Sequence, residues 1–375
     1  MSPPAAICAS QRAIVLSSPK VMRSRLRAGF ILALTVGLLA FFLRNADLAA
    51  VWAEMRAADP GLLAVAVLAT LSTYLIRAAR WQALLRPLGR VRFSSAFRTT
   101  VIGFAASVIL PARAGEFLRP YLLARREQLS ATAAFATIVL ERLLDLATVL
   151  LLLGGFLLLF DPGLGARDPD SFSAVRAGGA TAALAAVAAL VLLTVLAGHP
   201  DWLVRWAERV ERWLPARAAG GVERVVRRFT EGLATVRQPR RLLAALFLSI
   251  PLWLMIAVGI WCAALAFHMT VPFTGSFLII AFLVVGVSVP TPGAIGGFHA
   301  AFQVVATRFY GVSNDRAIGA AIVLHAVSFL PVTLLGVAFM LHEGLSFARV
   351  RELAGRPIDD GTRPDEAPVE PEGAR

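Results

Sequence analysis

Pro290-Thr291-Pro292-Gly293-Ala294-Ile295-Gly296-Gly297 interrupts the otherwise apolar stretch Ser276–Tyr310 in its middle. Proline removes a backbone donor, and glycine permits dihedrals and close approaches that other residues resist. At membrane depth such a break is tolerated only inside protein or beside a water-filled cavity. The stretch therefore predicts two half-helices that enter and leave on the same side. A second stretch, Thr99–Pro111, is apolar but shorter than the roughly 17–25 residues needed to cross about 30 Å of hydrocarbon. It predicts a second re-entrant excursion.

The surrounding composition agrees. Of 375 residues, 58% are hydrophobic and 16% charged, against about 45–50% and about 25% in soluble domains. This excludes a disordered chain and argues against an ordinary soluble enzyme. Net charge is +13, yet the long apolar runs disfavour a soluble nucleic-acid binder. Lys20 is the only lysine. The arginine bias fits either a GC-rich genome or side chains that grip lipid phosphates. Full spans are predicted near residues 28–43, 60–76, 132–160, 177–198, 242–267 and 317–341. The first also fits a signal peptide, but the spans that follow favour an uncleaved helix. Residues 1–24 read as a flexible segment in which Met22 is an alternative start, 25–345 as the membrane domain, and 346–375 as a disordered tail rich in proline and acid.

Arginine placement orients the bundle. Residues 1–27 carry five basic residues and no acid, and residues 77–98 carry Arg77, Arg80, Arg86, Arg90, Arg92 and Arg98 with no acid. Both segments are expected on the cytoplasmic side, as is the arginine-rich 199–241 insert. The acid-bearing loops 44–59 and 161–176 are expected outside. A full crossing by Thr99–Pro111 would invert every later loop against its charge. The pattern is satisfied by an all-α polytopic bundle of about six full spans and two opposed re-entrant hairpins, with both termini cytoplasmic.

Several polar groups stand where lipid should be. Glu141, Arg142 and Asp145 lie inside the 132–160 span. Glu141 and Asp145 share a helix face, and Arg142 can pair with Asp145. Each central charge costs on the order of 2.5–3.5 kcal/mol on insertion scales, so the three avoid lipid. They form either an ion-pair staple between helices or a site handling substrate or protons. Arg113, Glu116 and Arg119 repeat every three residues where the first hairpin turns. They could face one groove, or belong to an ordinary cytoplasmic loop. A half-helix starting near Gly296, after Gly293 and before Gly297 and His299, would aim free N–H groups at an anion such as phosphate. Otherwise the break is a kink between packed helices. His299 and His325 suit a proton shuttle or a satisfied core pair. In the insert, Trp202, Trp206, Val210 and Trp213 recur at helical spacing, as do Val222, Val225, Val226, Phe229, Leu233 and Val236. These helices would lie on the membrane surface or against the protein's own cytoplasmic face. Cys8 and Cys262 form neither a disulfide framework nor a metal site. With no phosphate-cradling glycine loop, no zinc histidine pair and no strained nucleophile turn, no cofactor or metal is expected.

At these residues the chain resembles the transmembrane flippase-like domain of lysylphosphatidylglycerol synthases, including its stand-alone bacterial members. The matching stretches are Arg80-Trp81 with Leu84-Leu85, Ile102-Gly103-Phe104, Leu110-Pro111-Ala112-Arg113-Ala114-Gly115-Glu116, Glu141-Arg142-Leu143-Leu144-Asp145 and Pro290–Phe298, within about residues 25–345. Two positions depart: Ala294 stands where relatives often carry glycine, and His299 where they often carry glutamate. The resemblance implies a bacterial inner-membrane lipid translocator without the aminoacyl-transfer domain. Its substrate would be an anionic or phosphate-bearing membrane lipid, and its binding residues Arg113, Glu116, Arg119, Glu141, Arg142, Asp145, Gly293, Gly296, Gly297 and His299. Phosphatidylglycerol derivatives, polyprenyl-phosphate sugars and hopanoid-type lipids all remain open as cargo. A membrane-embedded transferase with Glu141 or Asp145 as general base is one alternative. A non-transporting partner of a cytoplasmic lipid-modifying enzyme, docked through 199–241, is the other. No nucleic-acid partner is expected, and the pattern dictates no oligomeric state.

Overall fold

The computed structural model describes residues 29, 33–40, 42–110, 113, 115–159, 169–211, 213, 221–289 and 291–345. The expectations for residues 1–24 and 346–375 lie outside them. Among the described residues every regular element is a helix. Residues 33–40 are helical and lead into α1 (Leu48–Ala57), α2 (Pro60–Leu85), α3 (Phe93–Ile109), α4 (Gly115–Glu127), α5 (Ala131–Leu159) and α6 (Pro169–Gly198). The insert supplies α7 (Pro200–Glu211), α8 (Gly221–Gly232) and the 3-10 turn Leu233–Arg237. Then come α9 (Pro239–Ala266), α10 (Gly275–Ser288), α11 (Gly297–Arg308) and α12 (Asn314–His342).

Four helical segments, Pro60–Leu85, Phe172–Ala189, Arg240–Ala266 and Asn314–His342, are long and apolar enough to cross a membrane. A further expected span, α5, has 29 residues but bears Glu141, Arg142 and Asp145. The expected span 28–43 is described only in part, and its described residues 29, 33–40, 42 and 43 are helical.

Two sequence expectations change. Residues 44–59 are expected as a plain outside loop, but they fold into α1. Asp47 starts that helix by accepting from the N–H groups of Ala49 (2.9 Å) and Ala50 (3.2 Å). Its backbone N–H donates to Asp315 (3.1 Å), and Glu54 pairs with Arg316 (2.9 Å), so Asp47 and Glu54 fasten α1 to the start of α12. The second change is larger. The span expected to end at residue 76 continues to Leu85, because Tyr74, Ala78, Trp81, Leu84 and Leu85 prolong the buried face at helical spacing. Arg77 and Arg80, expected in a cytoplasmic loop, lie on that buried face.

Helix α12 acts as a ruler for the two hairpins. Near its start, Asn314 accepts from Gln303 of α11 (2.6 Å). Near its end, Phe339 meets Phe97 of α3 edge-on, and Glu343 pairs with Arg126 of α4. Midway, His325 meets the carbonyl of Gly293 (2.7 Å). The α3–α4 hairpin thus rises from one end and the α10–α11 hairpin from the other. Their tips meet where Gly293 faces Val108.

Glycine lets each hairpin close. A Cβ on Gly115 would lie 1.9 Å from the Gly103 carbonyl, and one on Gly297 would lie 2.2 Å from the Gly286 carbonyl. The insert splits in two. A Cβ on Gly232 would lie 2.2 Å from the Ala133 carbonyl, and Thr235 donates to the Leu84 carbonyl (2.9 Å), so the end of α8 sits on the protein. Trp202 and Trp206 of α7, and Trp213 beyond it, are exposed.

Gly115→Ala is expected to force α3 and α4 apart at a cost of about 1–3 kcal/mol or more, lowering the melting temperature in detergent. Gly154→Ala, where a Cβ would meet nothing within 4 Å, serves as the control and should leave it unchanged or raise it. Equal melting temperatures for Gly115→Ala and the parent would contradict this packing.

Candidate functional site

The extension of α2 brings its arginines against the acids of α5. Arg80, with no exposed surface, donates through Nη1 to Asp145 Oδ1 (2.6 Å) and to Ser249 Oγ of α9 (2.8 Å). Its Nη2 lies 3.4 Å from Glu141 Oε1. Arg119 of α4 grips Glu141 with both terminal nitrogens, at 3.0 and 3.2 Å. This is the two-pronged geometry that guanidinium and carboxylate favour. Its guanidinium lies over the Trp81 ring at 3.9 Å, and Trp81 donates in turn to Thr137 (2.9 Å). Arg142 Nη2 completes the set around Glu141 at 3.2 Å. Trp253 of α9 donates to Asp145 Oδ1 (3.1 Å).

Asp145 Oδ2 is held differently. Arg142 Nη1 approaches it at 3.6 Å and Arg77 Nη1 at 3.9 Å, but no hydrogen bond is formed. Two like charges therefore converge on one loosely held oxygen. In all, Arg77, Arg80, Arg119 and Arg142 face the carboxylates of Glu141 and Asp145, leaving two positive charges in excess.

Beside this cluster lies a cavity of about 360 Å³, bounded by α2, α5 and α9 and closed by the tips of both hairpins. Arg77, Arg119, Arg142 and Asp145 form its polar end, and Ile256, Ile260, Leu283 and Val284 part of its apolar wall. At the rim, Arg113 pairs with Glu116 at 3.2 Å. Arg142, Arg113 and Glu116 keep 38%, 42% and 32% of their side-chain surface exposed, so the polar end communicates with the exterior.

Of the residues expected to bind substrate, the cavity gathers Arg113, Glu116, Arg119, Arg142, Asp145 and Gly293. Glu141 lies behind the wall, where it aims Arg119 and Arg80. The staple and substrate readings of α5 therefore separate by residue. Glu141 is the staple, while Arg142 and Asp145 also face the cavity. Gly296, Gly297 and His299 are turned elsewhere. A Cβ on Gly296 would lie 2.5 Å from Leu38, and Gly297 abuts Gly286. The Gly296 N–H is directed at His299 Nδ1 (3.4 Å), so this donor of the half-helix does not point at a ligand in the cavity. His299 stacks on His325 at 4.7 Å and packs against Phe42.

Sequence reading missed Arg77, Arg80, Ser249 and Trp253. The first two carried a signal, since their spacing continues the buried stripe through Tyr74 and Trp81. As arginines in a basic loop they read as orientation markers instead. Ser249 and Trp253, in a uniformly apolar span, carried none.

A family model for the lysylphosphatidylglycerol synthase TM region matches residues 28–336. The chain belongs to this family. It is also similar to the glycosyltransferase AglD of Haloferax volcanii, at 27% identity over 355 residues, covering 86% of this chain and 55% of that protein. The chain thus spans about half the length of this curated relative. Within the family domain lie all four cluster arginines and both carboxylates.

Glu141→Ala strands Arg119 in a buried site, removes one of the two carboxylates beside Arg80, and is expected to destabilise the fold by about 3–5 kcal/mol. Glu116→Ala, at the rim, should shift stability by less than about 0.5 kcal/mol. Thermal unfolding of the two variants checks this order, and equal melting temperatures would contradict the staple.

Proposed function

We propose that the protein moves an anionic, phosphate-bearing lipid between the leaflets of a bacterial inner membrane. One observation carries this reading: an excess of positive charge lines a cavity between two opposed hairpin tips in a membrane bundle. Uncompensated guanidinium groups in such a place favour an anion, because low dielectric strengthens their attraction for it. The apolar wall suits an acyl chain, so the headgroup can enter the cleft while its tail stays among hydrocarbon. Membership of the family supports a lipid role. The arginine-rich ends face the cytoplasm in this reading, and α7 rests its tryptophans at headgroup depth.

A second reading is a membrane-embedded transferase acting on a lipid phosphate. It is favoured by the name of the relative, a glycosyltransferase, and predicts a chemically altered lipid, whereas translocation leaves the lipid intact.

Liposomes containing the purified protein and a leaflet-labelled anionic lipid test the proposal. Translocation should exceed that of protein-free liposomes. Arg142→Ala removes charge-assisted contacts worth about 1.5–3 kcal/mol each and should slow it by about ten- to hundredfold. Rates equal to those of protein-free liposomes would sink the transport reading. An altered lipid recovered by mass spectrometry would favour the transferase.

A further inference from the structure

We infer that the headgroup taken by this cavity carries two negative charges on one phosphate, a lipid phosphomonoester rather than a singly charged diester or a zwitterion. The inference rests on the proposed lipid-binding role and deepens it.

The charge inventory is the first support. Glu141 and Asp145 neutralise two of the four cluster arginines, and the rim pair Arg113–Glu116 neutralises itself. His299 and His325 lie outside the cavity wall and are engaged with backbone groups of the hairpin tip. A singly charged diester would leave one guanidinium uncompensated in low dielectric, and a zwitterion would add a cation to four arginines.

Donor geometry is the second. Nε of Arg77, Arg119 and Arg142 is buried without a hydrogen-bond acceptor among the described residues. These side chains line the cavity from three separate helices, α2, α4 and α5. Glu141 Oε1 and Asp145 Oδ1 are already occupied by Arg80, Arg119, Arg142 and Trp253, which leaves Asp145 Oδ2 as the acceptor that Arg77 and Arg142 share, at 3.9 and 3.6 Å and without a hydrogen bond. A phosphomonoester offers three non-bridging oxygens to these three guanidinium side chains, one more than a diester. Arg77 and Arg142, converging on the loosely held Oδ2 of Asp145, are the pair that a second negative charge would relieve.

Purified full-length protein in detergent at about pH 8, where a phosphomonoester is largely doubly ionised, provides the test. Binding of lysophosphatidate, lysophosphatidylglycerol, lysophosphatidylcholine and inorganic phosphate is compared by calorimetry. Lysophosphatidate should bind tighter than lysophosphatidylglycerol by on the order of tenfold or more, with lysophosphatidylcholine weakest. Inorganic phosphate should bind more weakly than lysophosphatidate, because it lacks the chain that covers the apolar wall. Arg77→Gln should weaken lysophosphatidate by a larger factor than lysophosphatidylglycerol and so narrow the preference between them. A merely structural role for Arg77 would weaken both alike. Equal binding of the two anionic lysolipids by the parent would overturn the inference, and so would inorganic phosphate binding as tightly as lysophosphatidate. The transport reading fails separately: selective lysophosphatidate binding without flipping in liposomes would sink transport alone, and equally fast flipping of monoester and diester lipids would sink only the charge preference.

Discussion

Arg80 has no contact with solvent, and its guanidinium must be matched by acceptors inside the bundle. The effective cost of burying an unpaired ion is several kcal/mol, and excellent geometry is needed to offset it. Asp145 and Glu141 of α5 provide the opposite charge, and Ser249 of α9 accepts a further bond. Glu141 in turn draws in Arg119 and thereby the first hairpin. One buried cation therefore fixes the mutual positions of α2, α4, α5 and α9. The same cluster, carrying more guanidinium groups than carboxylates, makes the wall of the cavity. Structural and binding roles are divided among neighbours: Glu141 and Arg80 hold the helices, while Arg77, Arg142 and part of Asp145 remain turned to the open space.

Opposed hairpins solve a related backbone problem. A chain that turns at membrane depth exposes N–H and carbonyl groups unless protein covers them. Here His325 meets the Gly293 carbonyl, His299 meets the Gly296 N–H, and Leu38 packs on Gly296. The histidine pair thus sits behind the second tip as its backbone support. Glycine-to-glycine contact in both hairpins, Gly103 with Gly115 and Gly286 with Gly297, lets their arms run close enough for two tips to share one cleft.

Most of the fold was legible because it follows from one-dimensional patterns. Apolar run lengths located α5, α9 and α12, and the short runs and the Pro/Gly break located both hairpins. The polar tip Arg113–Arg119 and the α5 triad pointed to the cleft. Legibility failed where one residue type serves two purposes. An arginine near a span's end reads as an orientation signal or as a buried partner, and only the continued stripe through Tyr74 and Trp81 marks Arg77 and Arg80 as the latter. The acids of 44–59 read as outside markers, whereas Asp47 and Glu54 also fasten α1 to α12. Within the insert, α8 is packed on the protein, while α7 leaves its tryptophans exposed.

What the sequence determined by itself is the class of solvent each segment meets, because hydrophobic run length and arginine placement are local sums over neighbouring residues. It likewise required that Glu141, Arg142 and Asp145 find partners, since isolated charges in a span are too costly. Which partners they found was decided only in three dimensions. Arg80, Arg119 and Trp253 come from three other helices, separated from Glu141 or Asp145 by 22 to 108 residues. The direction of each tip residue was decided there too. Gly293 turns to the cavity and Gly296 to Leu38 because backbone orientation in an irregular turn depends on what packs against it, which no run length encodes.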